Sequence, residues 1–251
     1  MRTRVKFCGL VRPEDVDVAV ALGVDAIGFV FYPRSPRYLP PDEAARLRRR
    51  LPSWVSAVGL FVNESLGHCQ MVARTVGLDV IQAHGDETPE QLQGLGLPYW
   101  KALRIGVPPG QAAPQQGRVL AGAGAVQAAM ALFGGAECCL LDSASQGYGG
   151  SGQAFDWSVL PAPSGASGRS AQGAPIPGPG ARVVLAGGLG PDTVGEAIRR
   201  VAPFAVDVSS GIQANSPREK DVVRMEGFVA AVWQADLDRR AARAARPERN
   251  R

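Results

Sequence analysis

Eight short apolar segments, rich in β-branched and bulky residues, recur along the chain at Val5–Cys8, Ala26–Phe31, Val55–Val62, Leu78–Ala83, Tyr99–Ile105, Glu137–Asp142, Arg182–Ala186 and Ala205–Val208. Most intervals between them carry helical periodicity: Pro13–Ala21, Pro41–Leu51, Leu66–Val76, Thr88–Leu95, Val119–Leu132 and Pro191–Val201, with a last helix expected at Glu219–Asp238. Strands that alternate with helices ask for a parallel sheet with the helices outside, and eight such units close into a ring. The length fits, 251 residues against the about 250 typical of this architecture. The expectation is therefore an α/β protein, a single (β/α)8 TIM barrel with an eight-stranded parallel sheet and outer helices, spanning residues 1–238.

Other classes are excluded by composition. With 45% apolar and 20% charged residues the chain is globular in character. No apolar run approaches the ~20 residues that cross a bilayer, and Met1-Arg2-Thr3-Arg4 runs straight into a strand, without room for a signal peptide. A soluble, cytoplasmic protein is expected, with no membrane partner. The net charge of +4 raises the question of nucleic acid, but the basic residues cluster at Arg46–Arg50 and in a tail at 239–251, neither interleaved with aromatics. Solvated surface is the better reading, with no nucleic-acid partner, and the tail is expected to be disordered. Cys8, Cys69, Cys138 and Cys139 show no C-x-x-C spacing, and with only His68 and His84 no zinc pattern forms, so no metal is expected. Residues 161–181 are Pro, Gly, Ser and Ala with one large apolar residue, Ile176, which reads as a mobile excursion within the barrel.

Functional groups of such a barrel gather where the strands end. The last two strands stop in small residues and restart as helices: Val183-Val184-Leu185-Ala186 runs into Gly187-Gly188, and Phe204-Ala205-Val206-Asp207-Val208 into Ser209-Ser210-Gly211. Two such loops on consecutive strands form a cup whose backbone N–H groups suit a phosphate; either loop alone also reads as a plain tight turn. The first strand ends in Lys6-Phe7-Cys8-Gly9, and alternation turns Lys6 and Cys8 toward the barrel mouth and Phe7 under a helix. Cys8 is then an inert buried thiol or, if Lys6 lowers its pKa, a base. Arg34 and Arg37 stand on a loop stiffened by Pro33 and Pro36, as solvated residues or as forks for a second anionic group such as a carboxylate. Gln82 and His84 share a face after the fourth strand, as ligand contacts or as rim hydrogen-bonding groups. Asp142 closes the apolar sixth strand, where burial either raises its pKa toward general-acid behaviour or loop N–H groups keep it ionised. The glycine-rich loop Gln146–Gly152 folds over a substrate or is a flexible linker.

Taken in order, these motifs resemble the N-(5'-phosphoribosyl)anthranilate isomerase family of tryptophan biosynthesis, from Lys6 to about Trp233. The resemblance rests on Lys6-Phe7-Cys8-Gly9, Gly28–Tyr38, Gly59–Asn63, Gln82–Glu87, Asp142 with Gly147–Gly152, Phe155-Asp156-Trp157, Leu185–Leu189 and Asp207–Gly211. It implies a cofactor-free Amadori rearrangement of phosphoribosylanthranilate to the carboxyphenylamino-deoxyribulose phosphate. It further implies Asp142 as general acid toward the ribose ring oxygen and Cys8 as general base at the sugar's C2. Arg37 would bind the anthranilate carboxylate, and backbone N–H groups of Gly187, Gly188, Ser209, Ser210 and Gly211 the phosphate. Gln82, His84 and Asp207 would line the mouth of a monomer or homodimer whose partner is its small-molecule substrate. Ala83 stands where the family usually has a larger apolar residue, and the 161–181 excursion is longer than the family needs. The competing readings are another phosphate-binding barrel, such as a sugar-phosphate isomerase or epimerase or a tryptophan synthase α subunit, and a catalytically silent barrel acting as a binding protein.

Overall fold

The computed structural model describes residues 2–106, 119–144, 155–160 and 182–245. Its strands are β1 (Arg4–Cys8), β2 (Ala26–Val30), β3 (Ser56–Phe61), β4 (Val80–Ala83), β5 (Tyr99–Ile105), β6 (Val119–Leu120), β7 (Cys138–Ser143), β8 (Arg182–Leu185) and β9 (Ala205–Val208). All pair in parallel; β1 lies between β2 and β9, and a β4–β5 pairing closes the ring. The two-residue β6 pairs with Arg104 and Ile105, past the last β4 contact on β5. What remains is the expected closed barrel of eight parallel strands, wrapped by α1 (Pro13–Ala21), α2 (Pro41–Arg48), α3 (Leu66–Val76), α4 (Ala123–Leu132), α5 (Pro191–Val201) and α6 (Val222–Ala244).

Strict alternation sorts the strand side chains into two layers. Phe7, Ile27, Phe29, Ile81, Leu103, Leu141, Leu185 and Val206 face outward into the large apolar layer beneath the helices. Phe7 meets Phe228 of α6 edge to face, with ring centroids 6.0 Å apart. Burying either ring fully contributes about 1.5–3 kcal/mol. The opposite parity fills the barrel interior with Val58, Val80, Leu140, Val184 and Ala205, grouped around Trp100. Carried to the carboxyl ends of the strands, the same parity aims Lys6, Cys8, Gln82, Asp142 and Asp207 into the mouth.

Three elements differ from the sequence expectation. Thr88–Leu95 is a set of turns, with Leu92 N donating to Thr88 O and Pro89 O and Gln93 N to Glu90 O. The stretch is too short to repay helix nucleation, and Gly94 and Gly96 take positive φ of 81° and 78°. Val119–Leu132 splits: Val119 and Leu120 extend the sheet, Gly122 turns at φ 80°, and the helix begins at Ala123. The last helix starts at Val222, where the Asp221 carboxylate accepts from Arg224 N, and continues past Asp238 to Ala244. The first residues of the expected tail are thus helical, while 246–251, the 161–181 excursion and the Gln146–Gly152 loop lie outside the described residues.

Candidate active site

Register decides the first part of the site. Lys6 is paired across the sheet with Asp207, so their inward side chains are neighbours, and Lys6 Nζ donates to Asp207 Oδ1 at 2.9 Å. Both are buried, at 1% and 8% exposure. On the other side Cys8 is paired with Gly28 of β2. A Cβ at residue 28 would stand 2.7 Å from Cys8 Sγ and 3.0 Å from Lys6 Nζ, so the glycine leaves the space in which thiol and ammonium lie side by side. Burial pushes the Cys8 thiol above its ordinary value; the Lys6 charge pulls it down and the Asp207 charge pushes it up again. The lysine therefore does draw on the thiol, but burial prevails. For Lys6, burial opposes the charge, yet Asp207 and Cys8 together hold its pKa above that of an ordinary lysine.

The opposite wall is built by β4 and β7. His84 follows β4 and is fixed by its own N–H, which donates to Phe61 O at 2.8 Å. Gln82, fully buried, places its amide nitrogen 2.8 Å from His84 Nδ1. With the amide so oriented it donates to Nδ1, leaving the imidazole proton on Nε2, which stands 3.3 Å from Asp142 Oδ2. Nε2 lies beside Asp142 without an aligned hydrogen bond. Arg104, the register partner of Asp142, turns to Asp86 instead, with an ion pair of 2.8 Å.

Two loops complete the rim. Turns closed by Ser35 N donating to Tyr32 O and Tyr38 N to Ser35 O carry Arg37 back over Gly9, where a Cβ would stand 2.5 Å from Arg37 Cδ. Arg37 Nη2 donates to Gln213 Oε1 at 2.6 Å, and burial lowers its pKa. Arg34 stays exposed on the surface. After β8, Gly187 and Gly188 take positive φ of 76° and 65°, and a Cβ on Gly187 would collide with the backbone nitrogen of Ser143. After β9, Ser209 opens a 3-10 turn at Ser210–Ile212. Among the described residues the N–H groups of Gly188, Ser209 and Ser210 donate to no backbone acceptor.

These groups open onto one cleft at the carboxyl ends of the strands, with about 680 Å³ of space that includes its solvent-open mouth. Cys8, Arg37, Gln82, His84, Asp142 and Asp207 line it, and Gly187, Gly188, Ser209 and Ser210 form one wall. Gly211 lies behind that wall, where a Cβ would run into Leu189 O, so this glycine serves the contact between the two loops. The Asp207 carboxylate borders the cleft while engaged by Lys6. A thiol, a carboxyl group and two anion-binding features around one cleft are the equipment for proton transfer on a doubly anionic molecule. Sequence reasoning missed Gln213 and Lys220, which steady the rim from a loop with no apolar pattern, and the Lys6–Asp207 pair.

A match to the family described as N-(5'phosphoribosyl)anthranilate (PRA) isomerase covers residues 5–231. The N-(5'-phosphoribosyl)anthranilate isomerase of Ralstonia nicotianae is 48% identical over 239 residues, covering 94% of each chain. A solved phosphoribosyl anthranilate isomerase in complex with reduced 1-(o-carboxyphenylamino)-1-deoxyribulose 5-phosphate resembles this chain at 32% identity and a TM-score of 0.71, covering 92% of this chain and 99% of that one. Monomers generated from the dimeric Thermotoga maritima isomerase match equally well, with the same identity, score and coverage. The chain belongs to the N-(5'-phosphoribosyl)anthranilate isomerase family and is an isomerase of tryptophan biosynthesis, catalysing the Amadori rearrangement of phosphoribosylanthranilate.

Proposed function

We propose that in this rearrangement Asp142 is the general acid and Cys8 the general base. Asp142 gives its proton to the ribose ring oxygen as the bond from that oxygen to C1 breaks, and the anthranilate nitrogen's lone pair forms the iminium. Cys8, as thiolate, takes the proton from C2, and the electron pair of that bond forms the C1–C2 double bond of an enolamine as the iminium is neutralised. Proton return to C1 and loss of the hydroxyl proton at C2 leave the ketone. Each such group typically contributes about 10² to 10⁴ in rate. Burial raises the Cys8 pKa, which makes the thiolate, once formed, the stronger base, and the adjacent iminium acidifies the C2 proton it has to remove.

Arg37, held by Gln213, takes the anthranilate carboxylate, and the N–H groups of Gly187, Gly188, Ser209 and Ser210 take the phosphate. His84, oriented by Gln82, steadies Asp142, and Asp207 keeps the Lys6 charge beside the thiol. The observation that carries this division of labour is that Cys8 and Asp142 line one cleft whose wall is the two-loop cup. Crystals grown with the reduced product analogue test it. The expected density has the sugar carbons between Cys8 and Asp142, the carboxylate on Arg37 and the phosphate on the glycine–serine wall; an analogue bound with its sugar remote from either side chain overturns it. The reading extends to a cytoplasmic enzyme acting as a monomer or homodimer. It is supported by four free, buried cysteines, as a reducing compartment keeps them, and no described helix is long and apolar enough to cross a membrane.

A further inference from the structure

Between β9 and α6 the chain doubles back on itself. Gln213 and Lys220 form an antiparallel bridge, Ala214 N donates to Glu219 O, and Asp221 N donates to Ile212 O. This narrow loop carries Lys220 beneath the cleft wall, where it is 3% exposed. Its backbone N–H donates to Asp15 Oδ2 at 3.2 Å, and its Nζ donates to Ser209 O at 2.9 Å and lies 3.5 Å from Ser209 Oγ. Ser209 Oγ in turn donates to Cys8 O at 2.9 Å. One serine is thus gripped from below by a buried ammonium and itself grips the end of β1, where the thiol stands.

A buried ammonium is costly unless a counter-charge meets it. Among the described residues no carboxylate lies within ion-pair distance of Lys220, and the residue its Nζ holds, Ser209, belongs to the wall whose N–H groups donate to no backbone acceptor. We propose that Lys220 is a positioning residue for the phosphate cup: a buried cation that acts through Ser209, finds its counter-charge in the substrate's phosphate, and couples phosphate binding to the placement of Cys8. The proposal rests on the phosphate-cup reading given above.

The charged surroundings agree. Burial and, after it, the Arg37 charge outweigh the opposing pull of Cys8, Asp15 and Asp207 and lower the pKa of Lys220 to about 8. An anion bound in the cup stabilises the charged lysine, so by linkage anion affinity falls as the lysine loses its proton. Sulfate is the probe, because its own charge is constant across the range, and Cys8→Ser protein removes the titration of the thiol. Calorimetry is expected to show sulfate binding weakening by about fivefold or more from pH ~7.5 to ~9.5. Lys220→Met in the same background is expected to bind about fivefold more weakly at the lower pH and to lose that slope. With otherwise native protein, Lys220→Met is expected to raise KM more than it lowers kcat. Sulfate binding that is tight but flat with pH overturns the role of Lys220 alone, and this arm needs no change at residue 220 should the methionine variant fail to fold. A methionine variant that binds as its parent does, with the same slope, also overturns it. No sulfate binding at any pH removes the phosphate cup and the proposal with it.

Discussion

A single methyl group on β2 probes how tightly the base is held. Gly28→Ala puts a Cβ 2.7 Å from Cys8 Sγ, 3.0 Å from Lys6 Nζ and 3.1 Å from Lys6 Cε. Comfortable contacts between such atoms begin near ~3.5 Å, so the thiol and the lysine end have to retreat by several tenths of an ångström to nearly one. Neither retreats freely: both are buried, and Lys6 is tied to Asp207 at 2.9 Å. Overpacking of this kind costs about 1–3 kcal/mol of stability, and moving a reacting group by ~1 Å costs about 10²-fold in rate. The loss of phosphoribosylanthranilate fluorescence gives kcat and KM, and urea denaturation gives stability. Because the atoms nearest the added Cβ belong to Cys8 and Lys6, kcat is expected to fall more than KM rises. An alanine variant with native kcat and native stability refutes the claim that packing around Gly28 sets the position of the base.

Asp142→Asn keeps the shape of the side chain and removes its proton, so kcat is expected to fall by about 10² to 10⁴ with little change in KM; a variant that turns over normally excludes Asp142 as the acid. Lys6 draws the Cys8 thiol downward in pKa, so Lys6→Met is expected to move thiol titration, followed by ultraviolet absorbance, to higher pH, and an unchanged titration makes Lys6 irrelevant to it. The Cys138 and Cys139 thiols are pushed by burial from the ordinary 9.0 up to about 12. Between those values these two thiols keep, in the folded protein, two protons that they have lost in the unfolded chain. Stability is therefore full below pH 9 and falls as pH climbs toward 12, by up to about 1.4 kcal/mol per thiol and pH unit. Urea midpoints at about pH 8 and about pH 10 check this, and equal midpoints contradict it.

The barrel was legible because its information is local and periodic. Each strand is an apolar run, each alternates, and the parity that sends Phe7 to Phe228 sends Lys6 and Cys8 into the mouth. Asp142 was legible for the same reason, as the one charge ending an apolar strand. The two-loop wall followed from small residues at successive strand ends, and Gly211 has a further role there in letting the two loops approach one another at Leu189. Pairings made by ring closure were not legible: Lys6 and Asp207 stand 201 residues apart and meet only because β9 lies beside β1. Gly28 carried no sign that its missing side chain makes room for two neighbours. Gln213 and Lys220 sit on a loop where neither period applies, so only the assembled structure brings them to Arg37 and Ser209. The helix expected at Thr88–Leu95 did not form because its short length and the two positive-φ glycines, Gly94 and Gly96, outweighed its capping signals.

The central claim is that one thiol removes the C2 proton of the sugar, and Cys8→Ala turnover of substrate deuterated at C2 tests it most directly. A fall of about 10² to 10⁴ in kcat is predicted, together with a larger deuterium effect than in the native protein, because proton removal becomes the slow step. Native turnover with an unchanged deuterium effect would contradict the account.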